Sequence, residues 1–231
     1  MKSLYCNGKY YLWKEGDLHT KDGFLKEADI KNKTSAESNI EKKFYIFEPS
    51  FNDLLKKIHR GPQIPLQKDI LQLLNYINKD SIVLEAGTGC GCVALNLARF
   101  VKKVITYERN KEYIKIAKKN FNLFNINNIE VINKDIFEGI EEKNIDMIFF
   151  DLEEPYKLLN EANKSLKQGG YLIIYLPNIP QIQDVIRENN NFIHEKTIEI
   201  LEREWLIDKK RARPKTEMIG HTGFLNIFRK I

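Results

Sequence analysis

The residues best suited to chemistry in this chain are three alternate glycines and three later carboxylates. The stretch Val83–Gly91 reads VLEAGTGCG, with glycines at positions 87, 89 and 91. Glycine lets a backbone turn tightly and approach a ligand without a clash at Cβ. Glu108, Asp135 and Asp151 each follow a further apolar run. Because carboxylates accept hydrogen bonds from hydroxyl and amino groups, the combination predicts a site for a ligand that carries such groups.

The glycine loop has a competing interpretation. A dinucleotide-binding fingerprint, GxGxxG, needs glycine at position 92, where the chain has Cys92. What remains is a GxGxG loop introduced by Glu85. A single carboxylate at a strand end is more often a helix cap or a solvated residue than a ligand contact. The loop together with three acids, each after its own strand, favours a binding site over that simpler interpretation.

An alternation of strands and helices must position these residues. Apolar strands are predicted at Ile82–Glu85, Val104–Tyr107, Ile129–Ile132, Asp146–Phe150 and Tyr171–Leu176. Helices are predicted at Val93–Phe100, Lys111–Phe124, Tyr156–Leu166 and Gln181–Glu188, and extended segments at Phe192–Trp205 and Met218–Phe228. The alternation predicts a parallel sheet covered by helices on both faces. All three acids then lie at the carboxyl ends of the strands, where open α/β sheets bind ligands.

The first 58 residues have a different pattern. Short apolar runs such as Tyr10–Trp13 and Phe44–Phe47 are separated by glycines and polar turns, which predicts short strands. We expect Lys31–Asn39 to be a loop and Asp53–His59 to be helical. The predicted organisation is a small β-rich domain over 1–58, a linker over 59–69 and a ligand-binding domain over 70–231.

Composition places the chain among soluble globular proteins. Of its 231 residues, 42% are apolar and 30% are charged. The chain shows neither a transmembrane run nor a signal peptide, so we expect a cytoplasmic protein without a membrane partner. Cys90 and Cys92 do not fit a CxxC or zinc pattern and are expected to pack near the turn. Neither a disulfide nor a metal site is predicted.

The net charge of +5 is mildly basic, and its distribution matters more than its size. Basic residues cluster at Lys56–Arg60 and at Lys209–Lys215. A basic run is either a solvated surface or a phosphate contact, and the sequence leaves both interpretations open.

Several segments outside the glycine loop resemble one family. In chain order they are Gly16–Thr20 with Gly23 and Phe44–Pro49, Arg60–Ile64 with Lys68–Asp69, Asp135–Glu142, Tyr175–Asn178 with Gln181, and Arg213–Pro214 with Gly220–Phe224. The GxGxG loop itself resembles motif I of class I methyltransferases. Together these segments are similar to the tRNA (adenine-N1)-methyltransferases of bacteria and archaea, over nearly the whole chain.

The resemblance implies a fold and a reaction. The fold would be the class I methyltransferase α/β fold, a Rossmann-like seven-stranded sheet with helices on both faces, preceded by a small N-terminal β domain. The reaction would transfer a methyl group from S-adenosyl-L-methionine to N1 of a T-loop adenosine, at tRNA position 58 and, as in archaeal relatives, position 57. Relatives of this type are homotetramers, so the resemblance implies tRNA as substrate and a homotetrameric assembly.

The resemblance also implies a role for individual residues. Cofactor contacts would come from Glu85, Gly87, Thr88, Gly89, Cys90, Gly91, Glu108, Asp135, Asp151 and Gln63. Asp151 would be the catalytic residue, between the methyl donor and the target adenine. Contacts to the tRNA would come from Tyr175, Asn178, His221, Arg60 and Arg213, with Lys57 and Arg211 as further phosphate contacts. A structural hydrogen bond near the terminal strands is an equal alternative for His221.

Three positions depart from the family pattern. Leu66 stands where the family has Tyr or His, and Asn110 where it often has Arg. Glu153 replaces a residue that is usually apolar, and we expect its charge to raise the pKa of nearby Asp151. Two alternatives therefore stay open: a methyltransferase with another RNA or a small-molecule acceptor, and a non-catalytic tRNA-binding subunit. The retained glycines and acids disfavour the second.

Overall fold

The computed structural model describes residues 1–61 and 64–231. The chain divides into two compact units, Met1–Ile58 and His59–Ile231. Within the described residues, no helix combines the length and the apolar character needed to cross a membrane.

The first unit is built on a four-stranded antiparallel sheet. Its elements are β1 Lys2–Cys6, β2 Lys9–Trp13, β3 Leu18–Thr20, β4 Gly23–Leu25, α1 Glu27–Asn32, β5 Ser35–Glu37, β6 Lys43–Phe47 and α2 Phe51–Leu55. The strand order is β2-β1-β6-β5, and β3 and β4 form a separate hairpin. One face of the sheet contributes Leu4, Phe44 and Ile46 to a core that Trp13 and Ile30 complete.

Two local predictions in this unit are wrong. The predicted loop Lys31–Asn39 contains the end of α1 and all of β5. Buried Ile30 anchors α1, and the i,i+4 ion pair between Lys31 and Glu27, 2.8 Å apart, supports it. The second helix begins earlier than predicted because Ser50 and Asp53 form a reciprocal capping box around its first turn.

The second unit is an α/β domain. Its helices are α3 Gln67–Ile70, α4 Cys92–Ala98, α5 Lys111–Phe124, α6 Leu159–Ser165 and α7 Ile179–Glu188, with 3-10 turns at Leu71–Tyr76, Ile136–Glu138 and Pro155–Leu158. Its strands are β7 Ile82–Ala86, β8 Lys103–Tyr107, β9 Ile129–Ile132, β10 Ile145–Phe150, β11 Leu166–Leu176, β12 Phe192–Ile198, β13 Trp205–Ile207, β14 Ala212–Pro214 and β15 Phe224–Lys230.

Seven of these strands form one sheet in the order β12-β15-β11-β10-β7-β8-β9. The five strands from β9 to β11 are parallel, whereas β15 pairs antiparallel with both of its neighbours. α6 and α7 pack on the face that carries Leu84, Phe150 and Ile174, and α4 packs against β8. The predicted α/β fold, with a seven-stranded sheet and a preceding small β unit, is confirmed.

The sheet topology determines where a ligand can bind. From β7 the chain proceeds to β8 and β9 on one side, and then returns to place β10 and β11 on the other. The carboxyl ends of β7 and β10 therefore flank a switch point, the place where open α/β sheets form a crevice.

The C-terminal segments are shorter than predicted. β12 ends at Ile198, and β15 begins only at Phe224. Between them β13 and β14 form a separate hairpin. Asp208 stabilises its turn, since its Oδ1 accepts hydrogen bonds from the backbone N–H groups of Lys210 and Arg211.

Candidate active site

The glycine loop joins β7 to α4 and has the left-handed backbone that its glycines permit. Gly87 has φ +97° and Gly91 has φ +81°. A Cβ at Gly87 would lie 2.8 Å from the backbone oxygen of Asp151, and one at Gly91 would lie 2.4 Å from the ring of Phe121. The loop therefore passes closely between the end of β10 and helix α5, and only glycine fits at these two points.

A buried polar layer lies beneath the loop. Oε2 of Glu85 accepts a 2.8 Å hydrogen bond from the hydroxyl of Thr106, whose oxygen is 2.6 Å from that of Thr88. Thr88 is also bonded to the backbone oxygen of Tyr107. Burial raises the pKa of Glu85 to about 8, although the bond from Thr106 opposes the rise. Glu85 is therefore largely protonated at neutral pH. It does not line the cleft, and it supports the loop through Thr106 and Thr88.

Glu108 closes β8 and is bound to the glycine loop. Its Oε2 accepts a 3.0 Å hydrogen bond from the backbone N–H of Gly89, and its Oε1 accepts one of 2.8 Å from that of Asn110. Each oxygen keeps one further lone pair, so the carboxylate can still accept from two hydroxyl groups. Asn110 caps the first turn of α5 by accepting from the N–H of Glu112, and Arg109 before it lines the cleft.

Asp135 follows β9 and caps the 3-10 turn after it. Its Oδ1 accepts from the backbone N–H of Phe137, and its Oδ2 is 3.1 Å from Nη1 of Arg109. Ile136 and Phe137 also line the cleft. An acid beside an apolar wall suits a flat heterocycle that carries an amino group.

Asp151 lies directly after β10, beside Gly87 of the loop. The register that pairs Phe150 with Ala86 brings the two strand ends together, and the N–H of Asp151 donates to the backbone oxygen of Ala86. Burial raises the pKa of Asp151 to about 6. The predicted cause was the charge of Glu153, which is exposed and contributes nothing resolved to the shift.

The glycine loop, Glu108, Asp135 and Asp151 surround one cleft with a volume of about 720 Å³, within the range of small-molecule sites. Of the predicted cofactor residues, those that line it are Gly87, Thr88, Gly89, Cys90, Glu108, Asp135 and Asp151. Gly91, the last glycine of the loop, is the N-cap residue of α4 and does not line the cleft. Gln63 lies outside the residues that the structure describes.

The cleft fits the S-adenosylmethionine that the family resemblance implies. The loop offers a backbone surface in which a Cβ at Gly87 would collide with the neighbouring strand end. Glu108 and Asp135 supply acceptors, and Phe137 supplies an apolar wall. The lining residues that the sequence did not predict include Arg109, Tyr113, Lys134 and Phe137. A position directly beside a predicted strand-end acid indicates Arg109 and Lys134, which are the chain neighbours of Glu108 and Asp135, whereas Phe137 follows Asp135 by two residues.

A second polar cluster joins the start of the domain to its C-terminal segment. Asp69, only 1% exposed, is 2.8 Å from Nζ of Lys68 and accepts a 2.8 Å hydrogen bond from the hydroxyl of Thr222. Lys68 in turn donates to Thr222 over 2.7 Å. The hydroxyl of Tyr175, at the carboxyl end of β11, makes a longer contact of 3.5 Å with Asp69. Burial raises the pKa of Tyr175 to about 12, so its hydroxyl stays protonated.

The remaining predicted substrate residues do not line the cleft. Asn178 caps α7 through a 3.1 Å bond from the N–H of Gln181. The ring of His221 lies between Oε1 of Glu199, 2.6 Å from its Nδ1, and the backbone oxygen of Pro177, 2.7 Å from its Nε2. Glu199 raises the pKa of His221 above its usual value. These contacts support the structural alternative for His221.

The basic residues are exposed. Arg213 lies on β14, where its Nη1 is 3.3 Å from the backbone oxygen of Pro214. Arg211 is paired with Asp208 across 2.7 Å, which leaves Arg213 as the better phosphate contact on this hairpin. Arg60 and Lys57 are exposed as well. Leu66, which immediately precedes α3, exposes 37% of its surface.

Comparisons with known proteins extend over most of this chain. The family model described as tRNA methyltransferase complex GCD14 subunit matches residues 53–212. The tRNA (adenine(57)-N(1)/adenine(58)-N(1))-methyltransferase TrmI of Methanocaldococcus jannaschii is 33% identical, over 96% of this chain and 92% of its own. The crystal structure of the tRNA (m1A58) methyltransferase TrmI of Aquifex aeolicus has a TM-score of 0.86 at 29% identity, covering 100% of this chain and 96% of its own. That of a SAM-dependent O-methyltransferase of Thermotoga maritima has a TM-score of 0.91 at 26% identity, covering 100% and 92%.

Proposed function

This chain belongs to the tRNA methyltransferase family described by the GCD14 model, and we propose that it methylates N1 of adenosine in the tRNA T loop. The target position would be 58, with 57 as a second target, as the name of the Methanocaldococcus relative states for that enzyme. The observation that carries the proposal is the position of Asp151, which lines the cofactor cleft directly beside the glycine loop.

The proposed cofactor is S-adenosyl-L-methionine, which when bound supplies an electrophilic methyl group. The glycine loop would hold its methionine end, with Glu85 beneath as a supporting residue. Glu108 would accept from the ribose hydroxyls through the lone pairs that Gly89 and Asn110 leave free. Asp135, beside Phe137, would accept from the amino group of the adenine.

Asp151 would act on the target base. Methyl transfer would form a bond from N1 to the methyl carbon as the bond from sulfur to that carbon breaks, so that the positive charge would pass from sulfur to the adenine. Asp151, as an adjacent carboxylate, would stabilise that charge as it develops on the base. The same group accepts a hydrogen bond from the exocyclic amine and so orients the ring. Because N1 lies on the Watson–Crick edge, the nucleotide must leave its stack before it reacts. With a pKa of about 6, Asp151 is mostly ionised at neutral pH, as this role requires.

Contacts to the rest of the tRNA belong to the same proposal. Arg213 and Arg60 are exposed cations suited to phosphates. Tyr175 and Asn178 would contact the tRNA near the end of β10, which Asp151 follows. His221 would hold the segment before β15 in place through its bonds to Glu199 and Pro177. We also propose a homotetramer in the cytoplasm. Analytical ultracentrifugation tests the assembly, and a mass of one or two chains would contradict it.

The decisive experiment measures methyl transfer from labelled S-adenosylmethionine to unmodified tRNA transcripts, followed by nucleoside analysis. We expect N1-methyladenosine in the T loop for the wild type, and a loss of about 10²- to 10³-fold for Asp151→Ala. Calorimetry with S-adenosylhomocysteine reports on the cleft independently of transfer. A transcript whose target adenosine is replaced by guanosine is the matched control.

Two observations favour a second candidate function, a methyltransferase with another acceptor. Leu66 and Glu153 give the candidate base site an apolar and an acidic group in place of the residues typical of the family. The structural match to the Thermotoga O-methyltransferase, whose acceptor atom is oxygen, is as extensive as that to the tRNA enzyme. Cofactor binding without any tRNA product would support this candidate. Absence of cofactor binding would instead support a non-catalytic subunit.

A further inference from the structure

The first unit has a row of aromatic side chains on the outer face of its sheet. Tyr5 of β1 pairs with Tyr10 of β2 on one side and with Tyr45 of β6 on the other. Side chains alternate between the faces of a strand. Leu4 and Ile46, the sequence neighbours of Tyr5 and Tyr45, belong to the core. The three tyrosines therefore lie in line across three strands, on the face opposite the core.

The aromatic part of this face is exposed and three of its rings are close together, whereas Ser3 on the same face is buried. Tyr10 exposes 53% of its surface, Tyr45 48%, and Phe47 of the same face 39%. The ring centroids of Tyr5 and Tyr10 are 5.0 Å apart, and those of Tyr10 and Phe47 are 6.4 Å apart. The four rings form one patch of flat side chains, whereas single exposed aromatics are ordinary on protein surfaces.

Lysines stand over both ends of the row. Nζ of Lys56 is 4.9 Å from the ring centroid of Tyr10, and Nζ of Lys43 is 5.3 Å from that of Tyr45. The strand β5 next to Tyr45 continues the row with Ser35, and Glu37 of β5 faces Lys43. The centre of the row thus consists of rings, and its ends are cationic.

We propose that this face, the tyrosine row Tyr5–Tyr10–Tyr45 with Phe47, Lys43 and Lys56, binds unpaired nucleotides of RNA by stacking. Aromatic side chains stack on the faces of unpaired bases, while lysines beside them neutralise phosphates. We favour RNA over a protein partner because lysines lie over two of the rings, whereas lysine is depleted in protein interfaces relative to the rest of the surface. The binding is indifferent to sequence, since every base has a π face and the row lacks a built pocket for base edges.

This site is separate from the methylation chemistry, and its test does not need the reaction. The probes are a fluorescent oligouridine, an oligoadenosine of equal length and an RNA duplex, followed by fluorescence anisotropy. Tyr10→Ala and Tyr45→Ala should each weaken single-strand binding by about 5- to 100-fold. Tyr10→Phe and Tyr45→Phe retain the ring and should bind like the wild type. Lys43→Ala should make the decrease of log K with log salt shallower, by about 0.7 in slope, because one phosphate contact is lost.

The matched control is Phe100→Ala. Phe100 is 40% exposed, with the guanidinium of Arg99 4.9 Å from its ring centroid, and it belongs to the second unit, between α4 and β8. The substitution Phe100→Ala should leave RNA binding unchanged. Thermal unfolding confirms that each variant is folded.

Two results of the RNA-binding assays would overturn the inference. One is single-strand binding that is unchanged in both Tyr10→Ala and Tyr45→Ala. This result would overturn the inference whether or not the wild type methylates tRNA. The other is an equal loss for duplex and single strand, because a duplex hides the faces of its bases. A change of mass in ultracentrifugation with unchanged RNA binding would identify the face as a contact between copies and would also overturn it.

Discussion

Two carboxyl groups at the ends of neighbouring strands carry pKa values that burial has raised, and they differ in what the surrounding structure allows. Glu85 is enclosed with a hydrogen bond from Thr106, so its neutral form is the stable one. Asp151 lines the cleft and titrates near pH 6, where a modest change in environment switches its charge. We therefore expect the ionisation of Glu85 to change the free energy of unfolding, and that of Asp151 to change the rate of methyl transfer.

Methyl transfer should depend on the ionisation of Asp151. With a folded pKa of about 6, kcat/KM should fall as the pH drops below that value, because the neutral acid stabilises a cationic base poorly. Asp151→Asn should lose about 10²- to 10³-fold in rate and the inflection with it. Rate profiles between pH 5 and pH 8 test this.

Glu153→Gln is the matched control for that profile. Its inflection should stay where the wild type has it, since burial and not the Glu153 charge raises the pKa of Asp151. A shift of the inflection to lower pH in this variant would contradict the assignment of the cause.

The unfolding free energy should depend on pH through Glu85. The unfolded carboxyl ionises near 4.5 and the folded one near 8, so folding retains a proton between these values. Stability contributed by this group is therefore present at low pH and lost as the pH rises from about 4.5 to about 8. Glu85→Gln mimics the neutral acid and should match the wild type at pH 5. At pH 8 it should be more stable by on the order of 2–4 kcal/mol.

Urea unfolding of both proteins at the two pH values measures the effect. If the difference in unfolding free energy between wild type and Glu85→Gln is the same at pH 5 and at pH 8, Glu85 is ionised in the folded protein and the prediction is wrong.

At the scale of elements, the glycine loop is defined by the space around it as much as by its backbone. Gly91 and Gly8 have nearly the same φ, +81° and +77°, but a Cβ at Gly8 meets nothing within 4 Å. Gly8→Ala should therefore cost only the left-handed strain of about 1–2 kcal/mol. Gly91→Ala should cost about 1–3 kcal/mol more, because the buried ring of Phe121 must move, and it should weaken cofactor binding. Equal losses of stability would show that the contact with Phe121 is easily relieved.

The polar cluster around Asp69 links α3 to the segment before β15. Lys68 and Asp69 expose only 7% and 1% of their side chains, so removing one partner leaves a buried charge. Asp69→Ala should cost about 3–5 kcal/mol. The pair Lys68→Met with Asp69→Leu should cost less than Asp69→Ala alone, because no charge stays unpaired. Denaturant unfolding compares them, and a double variant that is the less stable would contradict this account.

Elements with strong local patterns could be predicted from the sequence, and those held by distant contacts could not. The bounds of α5 and β9 follow from amphipathic and apolar runs, and both are confirmed. α1 was missed because its six residues depend on the burial of Ile30. The strand-end acids were found because topology places them at one edge. The bond between Asp69 and Thr222 joins residues 153 positions apart and has no local signature.

At the scale of the whole molecule, charge is unevenly placed. The net charge is only +5, yet the hairpin of β13 and β14 carries Lys209, Lys210, Arg211 and Arg213 within five residues. A local concentration of cations attracts phosphates over roughly a Debye length, about 8 Å at physiological salt, more than the net charge suggests. Substrate attraction should therefore depend on this hairpin.

Arg213 should contribute to the affinity for tRNA through a phosphate contact, and the dependence of that affinity on salt concentration tests this. Arg213 is exposed on β14 and, within the described part of the chain, pairs with no carboxylate, whereas Arg211 is held by Asp208. Arg213→Ala should weaken binding to every tRNA alike and lower the slope of log K against log salt by about one. Lys167→Ala is the control, because Lys167 pairs with Asp146 at the amino end of β10, the opposite edge from the cleft. Filter binding across a salt series measures both. If Arg213→Ala keeps the wild-type slope, the arginine does not contact phosphate and the basic hairpin is a solvated surface.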